Sequence, residues 1–163
     1  MPLLAALPED RLRALWSHSL PRRHHAGEVI LSAGEPAEYL LLLLRGRVSV
    51  ATTTAAGRVV RFGDWTGPCA PNKVAVIDGR GHTATLTAVT HCTVRSLPRS
   101  RFEELVDDVP AVRRHVLRLL AQVRRDGLVE VTRHTVAVLA PELLALRATE
   151  SGPRTSYRRN HMG

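Results

Sequence analysis

Between residues 27 and 97 glycine falls at positions 27, 34, 46, 57, 63, 67, 79 and 81, and the intervals hold short segments rich in valine, isoleucine, leucine and threonine. Glycine takes positive φ without steric cost, so this spacing marks a chain that reverses direction repeatedly between short strands. The strand segments read from the pattern are 28–32, 39–44, 47–52, 58–62, 83–89 and 92–97, with turns at Gly34, Gly46, Gly57, Gly63 and Gly79 to Gly81. No strand-helix-strand alternation occurs, which excludes a doubly wound parallel sheet. The expected fold is mainly β with flanking α, a β-roll or jelly-roll-like barrel.

Helical periodicity brackets this region. Leu3, Leu4, Leu7, Leu12, Leu15 and Trp16 recur mostly at steps of three and four, giving a short amphipathic helix over 3–20, interrupted at Pro8 and ending near Pro21. The pair His24 and His25 then falls in a loop, where two exposed histidines are the plain expectation and a metal or proton site the sharper one. After Pro98, Ser100 is expected to cap a short helix containing Phe102, Leu105 and Val106. Pro110 opens a longer one. Its seam runs through Val116, Leu120, Val123, Gly127, Val131 and His134 to Val138. A helix of about 30 residues is about 45 Å long and outreaches a small barrel. The seam therefore predicts a parallel homodimer, with His134 facing its twin. The pair Asp126-Gly127 is a turn signal lying inside that helix. The expected organisation is a β-roll with flanking helices over 1–109, a dimerisation helix over 110–140, and a short helical segment with a flexible polar tail over 141–163.

With 163 residues, the chain suits one domain. Its 44% hydrophobic and 23% charged residues exclude a disordered or fibrous class. The longest apolar run, 39–44, is far short of a bilayer span, and the acidic Glu9 and Asp10 do not suit a secretory signal, so a cytoplasmic protein is expected with no membrane partner. The net charge of +8 comes almost wholly from arginine, Lys73 being the single lysine. That charge suits a solvated surface as well as phosphate contacts.

Three pieces stand in order along the strand region: 27–34 (GEVILSAG), 43–50 (LLRGRVSV) and 76–86 (VIDGRGHTATL). With the flanking helices they resemble the cyclic-nucleotide-binding domain of the catabolite activator (Crp/Fnr) superfamily, from about Leu3 to Val138. The resemblance implies a phosphate-binding cassette of the form Phe-Gly-Glu-[Ile/Leu]-Ala-Leu-Leu followed after a short gap by Pro-Arg-[Ser/Thr]-Ala-Thr. In it the glutamate accepts the ribose 2′-hydroxyl, while the arginine and a helix N-terminus hold the cyclic phosphate. Aligned on Thr83-Ala84-Thr85, His82 stands where the arginine belongs and Pro71-Asn72-Lys73 where Phe-Gly-Glu belongs. Lys73 has no acceptor for a hydroxyl, Asn72 is expected to strain a backbone made for glycine, and a neutral histidine lacks the guanidinium fork. The implied ligand-binding residues are Asn72, Lys73, Val74, Ala75, His82 and Thr83. Ordinary binding of cyclic nucleotide is not expected, and no other cofactor is.

No nucleophile-base pair, phosphate loop or metal motif occurs, so no enzyme is expected. Cys92, after His91 on a strand, reads as a small buried hydrophobe. Cys69 reads as an inert loop cysteine, or as a redox-sensing thiol if the Lys73 cation favours thiolate. Glu103, Glu104, Asp107 and Asp108 read as a solvated helix face. The family's DNA readers append a helix-turn-helix, and the 25 residues after Val138 hold no such pattern, so sequence-specific DNA binding by this chain is not expected. The reading is a non-catalytic ligand-sensing regulatory module with a small-molecule or nucleotide effector. Two alternatives are a DNA-binding regulator separated from its reader domain and a scaffold that docks a protein partner.

Overall fold

In the computed structural model, which describes residues 1, 3–5, 7–125, 129–131 and 136–138, the leucine run forms strand β3 (Tyr39–Arg45), buried on both faces. Side chains alternate across a strand, so Leu41 and Leu43 point one way and Leu40 and Leu42 the other. Each set anchors its own core. Leu41 and Leu43 pack with Val48, Val50, Trp65, Leu86 and Val94 between two sheets, whereas Leu40 and Leu42 pack with Leu15, Leu97, Phe102, Leu105 and Val112 under the helices.

The first sheet has the order β1-β7-β3, with β1 over Leu20–His24 and β7 over Cys92–Pro98. The second has the order β2-β6-β4-β5, with β2 over Val29–Leu31, β4 over Arg47–Thr53, β5 over Val59–Thr66 and β6 over Thr85–Ala88. All pairings are antiparallel. The helices are α1 (Glu9–His18), α2 (Lys73–Asp78), α3 (Arg99–Asp108) and α4 (Pro110–Arg125). This is the expected mainly β roll with flanking helices.

Two arginine side chains hold the helical layer together. Arg95 of β7 donates to the carbonyls of Trp16 (2.6 Å) and Ser19 (2.7 Å), and its guanidinium lies 4.2 Å from the Trp16 ring centroid. It thereby adds donors to the carbonyls at the end of α1, that of Trp16 also accepting from the Ser19 N–H and hydroxyl. Arg113 does the same for α3, donating to the carbonyls of Val106 (3.1 Å) and Asp107. The acidic residues of α3 are exposed, as a solvated face requires.

Several expectations are corrected. The segment 20–24 is a strand and not a loop: all five residues of β1 pair with β7, from Leu20 opposite Ser96 to His24 opposite Cys92. As an edge strand β1 tolerates Pro21, which made it read as a helix end. Gly63 is no turn; it lies inside β5 at φ 142°, where the register shifts between Val50 and Ala51, as in a bulge. Ser100 does not cap α3, whose N-cap is Pro98. Of the helix expected over 110–140, Pro110–Arg125 is helical, while β8 (Val129–Val131) pairs with β9 (Val136–Val138). Alternating β-branched residues at 129–131 and 136–138 override the helical spacing of the same valines.

Val131 therefore belongs to a strand and to no helical seam. Val116 is 6% exposed, buried in the chain's own helical core, and the half-buried Leu120 packs against that core too. Gly127, His134 and the whole of 141–163 lie outside the described residues, as does the side chain of Val123.

Candidate functional site

From Thr66 the chain leaves β5 and runs along the open edge of β3. Leu43 and Cys69 exchange backbone hydrogen bonds of 2.9 and 3.0 Å. Two residues before Cys69, a Cβ on Gly67 would come within 2.9 Å of the Leu43 carbonyl, so a side chain there would push this segment off the strand. Asn72 completes the cover: its Oδ1 accepts from the Leu41 N–H (2.8 Å), and its Nδ2 donates to the Tyr39 carbonyl (2.7 Å). One carboxamide thus pairs two backbone groups that an edge strand leaves open. The expected strain at Asn72 is absent, since its φ of −102° is ordinary for any residue.

Helix α2 begins at the next residue and wedges between the two cores. Val74 packs in the roll and Val76 in the helical layer, with Ala75 against the latter. Val74 and Ala75 are thus packing residues. Gly79 ends α2 in the left-handed conformation at φ 73°, its N–H donating to the Ala75 carbonyl (2.9 Å). Beside it the Asp78 carboxylate is buried with Arg80 Nε at 3.7 Å, and burial raises its pKa against the pull of Arg80 and Arg99.

Lys73, 9% exposed, is the one lysine of the chain, and burial pushes its pKa down. Cys69 lies within its electrostatic reach, yet burial outweighs the cation and lifts the thiol to about 11. The redox reading of Cys69 fails on that sign, because a protonated thiol is a poor nucleophile. Cys92, fully buried, is the small hydrophobe expected.

His82 is buried too, and its backbone stitches the cassette to the β2–β3 connection. Its N–H donates to the Glu35 carbonyl (2.8 Å), and its carbonyl accepts from the Gly34 N–H (2.7 Å). Burial lowers the imidazole pKa while Glu35 opposes the shift, which keeps the ring neutral at physiological pH. Thr83 is half-buried, and its carbonyl accepts from Thr52 Oγ1 at 3.1 Å.

One residue was missed by the sequence reading. Burial lowers the pKa of His115 in α4, and the Lys73 and Arg118 cations lower it further. Its Nε2 is buried with no hydrogen-bond partner among the described residues. The available signal was its four-residue spacing to Leu119, which packs against the roll core and marks the α4 face turned to the cassette. At the other end of the roll, His24 Nδ1 sits 3.4 Å from Glu28 Oε2, and His25 meets His91 edge to face at 5.4 Å. Among the described residues no group of three or more metal-ligating side chains converges.

A sequence profile described as the cyclic nucleotide-binding domain matches residues 21–109, just over half of the chain. The chain belongs to the cyclic nucleotide-binding domain family. Its fold is similar to the catabolite activator protein of Thermus thermophilus, with a TM-score of 0.66, 16% identity, and coverage of 91% of this chain and 100% of that one. It is also similar to the sensor domain of the transcriptional regulator DNR from Pseudomonas aeruginosa, with a TM-score of 0.69, 19% identity, and coverage of 80% and 89%. Among curated relatives, a lysophospholipase (nte1) of Aspergillus oryzae is 29% identical over 101 residues. That match takes in 62% of this chain but spans only 7% of the fungal protein's length. What the family contributes is a regulatory domain, and the Crp/Fnr resemblance holds at the level of fold.

Proposed function

We propose that this domain is a non-catalytic ligand-sensing module of the Crp/Fnr type whose cassette no longer accepts cAMP or cGMP in the usual pose. The observation that carries this reading is the state of Asn72 and Lys73. Asn72 spends its carboxamide on the β3 edge, and Lys73 is a buried donor where the family's glutamate would accept a ribose hydroxyl. The neutral His82 supplies no guanidinium fork. Each charged contact forgone is worth about 1.5–3 kcal/mol, so losing two lowers affinity by at least about a hundredfold. Calorimetry of the full chain with cAMP and cGMP tests this. No saturation at micromolar nucleotide is expected, and micromolar or tighter affinity would overturn the reading.

The module is further proposed to act as a homodimer through the outward face of α4. Leu117 is 57% exposed there, between Arg114 and Arg118 and one turn from Ala121, all exposed. A leucine held in water at the middle of a helix is relieved of that cost by a second copy.

A further inference from the structure

We infer a second, unassigned ligand site in the roll, built for a small aromatic carboxylate. A cavity of about 150 Å3 opens between the first sheet and β2, with Ile30, Leu31 and Leu41 forming apolar walls. Space of this volume accommodates a single benzene-sized ring. Four polar side chains also line it: Arg22 and His24 of β1, Tyr39 of β3 and Ser96 of β7.

The side chains of Arg22, Tyr39 and Ser96 have no hydrogen-bond or ion-pair partner among the described residues. Arg22 is exposed, so its guanidinium marks the mouth, and no carboxylate among the described residues pairs with it. The fourth polar side chain of the lining, His24, has its Nδ1 3.4 Å from Glu28 Oε2. One guanidinium without a partner among the described residues, beside a half-open, ring-sized chamber with two hydroxyls, suits a ligand with an apolar body and an anionic end. The hydroxyls suit a hydroxylated ring or the second carboxylate oxygen.

The cassette takes no part, since no residue between 71 and 83 lines the cavity. The site therefore stands or falls separately from the refusal of cAMP. Because β1, β3 and β7 belong to one sheet and β2 to the other, a ligand here touches both layers of the roll.

The probes are benzoate and its uncharged counterpart benzyl alcohol, titrated calorimetrically into the full chain. Wild-type protein is expected to saturate with benzoate at a Kd of about 1 mM or tighter. Arg22→Gln should weaken benzoate about tenfold and change benzyl alcohol by less than about twofold. Ser96→Leu fills the chamber and should abolish both, with a thermal melt checking that the variant folds. Because Arg22 sits exposed on an edge strand, its variant remains informative should Ser96→Leu misfold. Failure of benzoate to saturate the wild type, an unchanged benzoate affinity in Arg22→Gln, or undiminished binding in folded Ser96→Leu would each overturn the site.

Discussion

Replacing Asn72 with alanine would leave the Leu41 N–H and the Tyr39 carbonyl unpaired in a buried place, a cost of about 1–3 kcal/mol for each unsatisfied group. Urea denaturation is the measurement. A loss below about 0.5 kcal/mol would mean that the carboxamide is not what fastens the cassette to β3. The sequence marks Asn72 as a departure from a glycine, but not what it does, because its partners lie more than thirty residues away and follow only from the edge position of β3. Lys73 and His82 were legible as altered positions; their burial, which sets their charge, was not. His82 and His115 both have pKa values lowered below 6.5, so the folded state binds fewer protons than the unfolded chain once the pH drops under that value. Their contribution to stability is full above pH 6.5 and is lost as the pH falls through the folded-state values. Melting temperature should accordingly fall between about pH 7 and pH 5 in the wild type, and fall less in His82→Gln with His115→Gln. An equal fall in that double variant would assign the acid sensitivity elsewhere.

At the scale of elements, the alternating leucines of β3 serve two cores, and the glycine spacing located the strands from β2 to β7 except at Gly63, which lies inside β5. Both were readable because alternation and positive φ are local properties of the chain. β1 was hidden by its content of proline and arginine, which suits an edge and gives no apolar alternation. The C-terminal helix shows a conflict of periods: valines at 116, 123, 131 and 138 satisfy a helical seam, yet those at 129, 131, 136 and 138 equally satisfy two strands. Hydrophobic spacing also cannot say whether a helical face turns to its own sheet or to another chain. In α4 the two faces are adjacent, Val116 inward and Leu117 outward. Val116→Asp should abolish cooperative unfolding by burying an unpaired charge, whereas Leu117→Asp should change stability by less than about 0.5 kcal/mol while converting the dimer to monomer in light scattering. A monomeric wild type at tens of micromolar would refute the proposed dimer. A dimeric, folded Leu117→Asp would place its interface on another face.

Across the whole molecule the charge of +8 is unevenly spread, and α4 shows it best: its sequence holds Arg113, Arg114, Arg118, Arg124 and Arg125 without one carboxylate. Arg113 is engaged with the end of α3, while Arg114, Arg118 and Arg125 are exposed. Such a surface attracts any polyanion through counterion release, a force that takes no account of base sequence. Duplex DNA should bind at low salt with a log–log salt slope of about −3 if those three arginines carry the contact. Arg114→Ala with Arg118→Ala should then shrink the slope by about 2. At about 150 mM salt, where screening reaches about 8 Å, competition with random duplex should remove all binding. That outcome fits a sensor whose basic face is a solvated surface. A protected footprint that survives excess random DNA would require base contacts, and it would move this chain from a ligand-sensing module to a DNA-reading regulator.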